Sequence, residues 1–152
     1  MDLRYRLRPM DPRAADELRA IGGPISVVDE HPGFPCRQCR RDAEVGDEVI
    51  LVSHDPFTAT SPYRSASPVF LHRHDCGTPA EVDETTDLPD QLTRRQLSVR
   101  AFDASAMMLD AAHITGADLR PTIERLLADP DVVELHVHNS PRGCWAATVE
   151  RR

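Results

Sequence analysis

No lysine occurs in the sequence: its 18 basic residues are all arginine, and 25 Asp plus Glu outnumber them to leave a formal net charge of −7. A chain this acidic is poorly suited to neutralising phosphates, so nucleic acid is not expected as a partner. Aromatic residues are scarce at 5%, which leaves Val, Leu, Ile and Ala to build the core. No stretch approaches the roughly 18 consecutive apolar residues of a membrane-spanning helix. The first residues carry Arg4, Arg6, Arg8, Arg13 and Arg19 in place of an apolar signal segment, so a cytoplasmic location is expected. Internal repeats and low-complexity tracts are also missing, which argues against a solenoid. A length of 152 residues suits one domain spanning the whole chain.

What is present points to an α+β fold: a single domain with a mostly antiparallel sheet, one main C-terminal helix and an inserted zinc knuckle. Leu3, Tyr5 and Leu7 alternate with arginines at the period of a half-buried strand, and a short helix over 13–20 and a strand over 25–28 follow. Val49–Val52 is apolar throughout, as a strand buried on both faces would be. Prolines break the chain before a strand at Val69–Leu71, and residues 77–89 read as a second irregular connection. Beyond these, Leu97–Phe102 and Met107–Ala111 pattern as a hairpin. A helix over 118–128 presents Leu119, Ile123, Leu126 and Leu127 on one face, with Pro121 tolerated in its first turn. Strands over 132–138 and 144–150 close the chain around a turn at Asn139–Gly143. The zinc-knuckle segment thus covers residues 30–78, and the strand-helix-hairpin segment covers 95–152.

In the reducing compartment expected here, four cysteines are better explained by metal than by disulfides. Cys36-Arg37-Gln38-Cys39 has the spacing of a knuckle that turns beneath a metal, and Cys76 follows a strand together with His72 and His74. Three thiolates and one imidazole make a tetrahedral Cys3His set suited to a zinc ion. His72 is favoured over His74 because it leaves three residues before Cys76. A closed set of four protein ligands gives zinc a structural role. Reduced cysteines beside surface histidines are another reading. A thioredoxin-like redox pair is a third, though the strand-CxxC-helix context it needs is missing.

The C-terminal hairpin holds the other chemistry. Alternation sets Val133, Leu135 and Val137 on one face and His136 with His138 on the other, away from the main core. A regular hairpin would bring His138 opposite Cys144, a nucleophile and base pair with Asn139 as a possible orienting group. The alternatives are a solvated histidine pair beside a small buried cysteine, or a second metal site on His136, His138 and Cys144. Arg100, inside an apolar strand, needs a carboxylate such as Asp103 or Asp110, or else binds an anionic ligand. Tyr63, in Pro62-Tyr63-Arg64, either lines a pocket or packs in a turn.

The knuckle, the strands after Gly46 and the closing His/Cys pair resemble, in order, a treble-clef zinc module. More widely, FPCRQC, VGDEVILV, SPYR, SPVFLH, LSVRAFD, MMLDA and HVHNSPRGCWAATVER resemble the bacterial family designated domain of unknown function 1203, over most of residues 30–152. That resemblance implies no particular activity. Relatives without the second Cys of the CxxC imply that the metal belongs to a subgroup and that any shared function sits on the C-terminal hairpin. Ala106 departs from the glycine that relatives carry in the turn before Met107. The expectation is therefore a zinc-stabilised binding or accessory protein whose partner is a small molecule or another protein. The alternative is a small-molecule enzyme using Cys144 and His138.

Overall fold

Period-two apolar residues build eight strands in a computed structural model, which describes residues 2–152. In chain order the elements are β1 (Tyr5–Leu7), α1 (Pro12–Ile21), β2 (Ile25–Val27), β3 (Glu48–His54), β4 (Ser67–His72), α2 (Asp90–Thr93), β5 (Gln96–Phe102), β6 (Met108–Thr115), α3 (Leu119–Leu127), β7 (Glu134–Ser140) and β8 (Trp145–Arg151). They form two antiparallel sheets, one ordered β1-β8-β7-β5-β6 and one ordered β2-β3-β4. The α+β class and the main C-terminal helix match the sequence reading, whereas the strands divide between two sheets. Residues 30–78 contribute β3 and β4 to the smaller sheet, so the knuckle segment carries a sheet of its own.

On one face of the five-stranded sheet, Leu97, Val99, Leu135, Val137 and Val149 pack against Leu119, Ile123, Leu126 and Leu127 of α3, and all are fully or almost fully buried. Each such side chain contributes about 1.5–3 kcal/mol on leaving water. For a helix of nine residues, too short to persist alone, this packing rather than intrinsic propensity holds α3 in place. Gly116, just before α3, admits no side chain: a Cβ there would lie 2.2 Å from the Leu92 carbonyl oxygen. This close approach seats α2, the short helix that propensity and pattern left unpredicted, against the start of α3.

The segment 77–89 is irregular yet pinned. Val82 is buried in the main core, Glu84 accepts from the Tyr5 amide at 3.1 Å, and the Arg120 guanidinium donates to the carbonyls of Asp83, Glu84 and Thr86. β6 continues past Ala111 to Thr115 and has a bulge at its start opposite Ala101 and Phe102. The smaller sheet packs through Ile50, Val52, Val69 and Leu71 onto Met10, Ala15 and Trp145. Trp145 therefore links the two sheets. Of the strand expected to be buried on both faces, Val49, Ile50 and Val52 are buried and Leu51 is half-buried.

Candidate metal centre and the histidine face

The Cys36–Cys39 turn is built by its backbone. The Arg40 amide donates to the Cys36 carbonyl at 3.1 Å, Arg40 adopts a positive φ of 59°, and Cys36 bridges Phe70 of β4. Since His72 ends β4, the bridge to that strand sets the imidazole beside the knuckle. Cys36, Cys39, His72 and Cys76 consequently present four ligand atoms within 4.8 Å of one another, a Cys3His cluster that could hold a metal ion. His72 is the histidine of this cluster; His74 is exposed and stands outside it.

The surroundings orient the ligands. His72 Nδ1 lies 3.6 Å from Cys39 Sγ, while its Nε2 is 3.1 Å from the Asp47 carboxylate. A carboxylate on the outer nitrogen fixes which ring nitrogen faces the sulfurs, as is usual for metal-bound histidine. The His72 amide also donates to Cys36 Sγ at 3.3 Å. Hydrogen bonds with Cys36 and then Cys39 raise the His72 pKa to about 10. Hydrogen bonds from Cys36 and Cys76 hold the Cys39 thiol far below its ordinary value. Three sulfurs this close share protons unequally, and a divalent cation would relieve their mutual repulsion.

The knuckle is also tied to the larger sheet. Arg37, 5% exposed, donates from Nε to the Trp145 carbonyl at 3.0 Å and from Nη1 to the Pro35 carbonyl. Burial lowers its pKa to about 10. Asp42 binds Arg95 at 2.6 Å and Arg94 at 3.1 Å.

Behind the knuckle, the second face of β5, β7 and β8 carries His136 and His138. They do avoid the main core, but they are not solvated: His136 is 0% and His138 4% exposed. Phe57 and Phe102 each lie 4.7 Å, centroid to centroid, from the His136 ring and cover it. His136 Nε2 meets Glu134 Oε1 at 2.9 Å, and Arg8 donates to the other oxygen at 2.7 Å; His136 Nδ1 is buried without a partner. The reading of a solvated pair beside a buried cysteine is thus corrected on both counts, since Cys144 is half-exposed. The missed feature is the layer supplied by Phe57, which local alternation cannot reveal.

The hairpin register also differs from expectation. β7 and β8 are irregular between Val137 and His138, so His138 pairs with Trp145 instead of Cys144. The Gly143 carbonyl accepts from His138 Nδ1 at 2.8 Å, and His138 Nε2 lies 3.5 Å from Arg100 Nη1. Neither ring nitrogen is hydrogen-bonded to Cys144 among the described residues. Asn139 is opposite Leu97, hence on the other face from His138, and its buried Oδ1 has no partner. Arg100 forms no ion pair among the described residues: Asp103 accepts from the Ser105 and Met107 amides, and Asp110 lies 3.7 Å from Arg125. The expected Asp103 or Asp110 partnership is therefore absent, because both carboxylates are engaged elsewhere. Tyr63 is 41% exposed, with its ring 6.0 Å from Phe102.

The His138 environment makes stability depend on pH. Burial, reinforced by Arg100, lowers the His138 pKa to about 4, against about 6.5 in an unfolded chain. Between these values the unfolded chain binds the extra proton, so stability falls as the pH drops. Urea unfolding at pH 7 and pH 5 is expected to show a loss of about 2 kcal/mol from this residue, absent in His138→Gln. An equal loss in the variant would rule His138 out as the source.

The fold and cluster together define a small α+β protein in which a Cys3His knuckle is inserted beside a five-stranded sheet. The chain belongs to the family described as Protein of unknown function (DUF1203), whose family model matches residues 33–151. Comparison with curated proteins and with solved structures found no match. No helix among the described residues is long and apolar enough to cross a membrane.

Proposed function

We propose that Cys36, Cys39, His72 and Cys76 hold one structural zinc ion in a cytoplasmic binding or accessory protein. The observation that carries this reading is the convergence of the four ligand atoms within 4.8 Å. Sulfurs about 2.3 Å from a tetrahedral zinc stand roughly 3.7 Å apart, and Cys36 Sγ and Cys76 Sγ are 3.7 Å apart. Three thiolates and an imidazole favour zinc over the hard cations. With four protein ligands the metal has no open position for substrate, so it fixes loops. The ion would clamp β4 and the Cys76 segment to the knuckle, which Arg37 and Asp42 join to the larger sheet. Its place in function is to hold that face in shape for a small-molecule or protein partner. Native mass spectrometry of the full chain tests the metal: one zinc per chain is expected, and a metal-free mass under mild conditions would contradict it.

Arg100, half-buried and without an ion pair among the described residues, supplies a polar group on the sheet face it shares with His138. His136 and Asn139, the other polar residues expected at a ligand site, do not join it: His136 is sealed under Phe57 and Phe102, and Asn139 lies on the opposite face. For the enzymatic alternative, thiol alkylation of Cys144 across pH in the wild type and in His138→Ala separates a coupled pair from an isolated thiol. The His138 to Gly143 hydrogen bond argues for an isolated thiol, so identical rate profiles are expected.

A further inference from the structure

Apart from the Cys3His cluster, a cleft of about 180 Å³ lies between the β1–α1 corner and the end of β3. Trp145, 6% exposed, forms one wall, with the His54 ring tilted at 58° against it and 4.8 Å away between centroids. The indole N–H is occupied, donating to Thr148 Oγ1 at 3.1 Å. Met10, Ala14 and Phe57, with Pro9 and Pro56, supply the apolar part of the remaining lining. This is the common make-up of a small-molecule site: an apolar body with a few polar groups, placed where two layers meet.

Two of the charges at the cleft, Arg8 and Asp55, are already partnered. Arg8 is held by Glu134 at 2.7 Å and Glu150 at 2.8 Å, and Asp55 by Arg64 at 2.7 Å. Asp11, at the rim, accepts from the Arg13 amide to cap α1. A charged ligand reaching Arg8 or Asp55 would have to break these pairs, and an anion would in addition meet Asp11, which has no ion pair among the described residues. His54 differs from them. No hydrogen bond contributes to its environment; burial and the Arg37 charge oppose its protonation, against Asp55. The neutral imidazole therefore offers one donor and one acceptor with no hydrogen-bond partner among the described residues.

We propose that this cleft binds a small uncharged aromatic molecule bearing one hydroxyl or amide group, seated against the His54–Trp145 pair and hydrogen-bonded to His54. The inference rests on the binding-protein reading, gives it a ligand class, and does not require the metal. Trp145 is the only tryptophan in the chain, so the ¹⁵N-labelled full-length protein shows one indole N–H resonance. Titration with phenol and with benzamide should shift that resonance saturably, and benzoate should bind at least roughly tenfold more weakly, its charge being unmatched. His54→Ala should weaken phenol binding by roughly three- to tenfold through loss of one hydrogen bond. Ala14→Leu, which fills the cleft from α1, should abolish the shift while circular dichroism stays native. No saturable shift with phenol or benzamide up to about 10 mM, an equal response in Ala14→Leu, or benzoate binding as tightly as phenol would each overturn the proposal. Zinc measured in the same samples separates the two readings: no binding with one zinc per chain rejects the cleft alone, and binding without zinc rejects the metal alone.

Discussion

Cys36→Ser should purify without stoichiometric metal and lose the order of the knuckle segment while the α3-backed sheet stays folded. The expectation follows from where the residue sits. Cys36 is fully buried, its sulfur accepts the His72 amide, and it faces Cys76 across the cluster. A serine oxygen there leaves three ligands from two separate segments, and a structural metal contributes much of the folding free energy of the module it closes. The residues of the main core, from Leu97 to Val149, pack with α3 and make no use of the knuckle. Loss should therefore be local. Hydrogen exchange is expected to show protection of the Leu51 and Val52 amides falling by at least about 100-fold, or roughly 3 kcal/mol, while Val99 and Val137 keep theirs. Unchanged zinc content and unchanged protection in β3 would show that the cluster is not what orders this segment.

Asp42→Ala should cost about 3 kcal/mol in urea unfolding, the lower end of the range for removing one member of a buried ion pair. The Asp42 side chain is 2% exposed and is shared by Arg94 and Arg95, which are 35% and 19% exposed. Without it, the two guanidinium groups remain at the junction of the knuckle with α2 and β5. Their residual access to water keeps the loss from being larger. Asp42 also pairs through its backbone with Pro35, so the variant should loosen the knuckle against the larger sheet. A loss below about 1 kcal/mol would mean that this pair contributes no more than a surface ion pair.

Much of the fold was legible because its strands obey period-two alternation. The face of β7 formed by Leu135 and Val137, the α3 stripe and the apolar β3 all appear in the sequence in the form the structure uses. The ligand set was legible for a different reason: CxxC and a closely spaced His/Cys pair are local patterns, and only the distance between the pairs had to be supplied by folding. His72 and His74 share strand parity, so periodicity could not separate them; the Cys36–Phe70 bridge does, by seating the end of β4 beside the knuckle. The irregularity after Val137 was not legible, since a bulge depends on the partner strand. It moved Trp145, not Cys144, opposite His138. Nor could alternation show that His136 is sealed by Phe57 from a distant loop, or that Asp103 is occupied in a turn and cannot reach Arg100. His54 gave only a weak signal, as a polar residue closing an apolar strand, and Arg37 gave none beyond its place inside the knuckle.

X-ray absorption at the zinc edge on the purified full-length protein tests the central claim most directly. The account predicts one zinc per chain with three sulfur ligands at about 2.3 Å and one nitrogen at about 2.0–2.1 Å, the nitrogen lost in His72→Ala and retained in His74→Ala. A spectrum dominated by oxygen and nitrogen ligands, or nitrogen coordination that persists in His72→Ala, would contradict it.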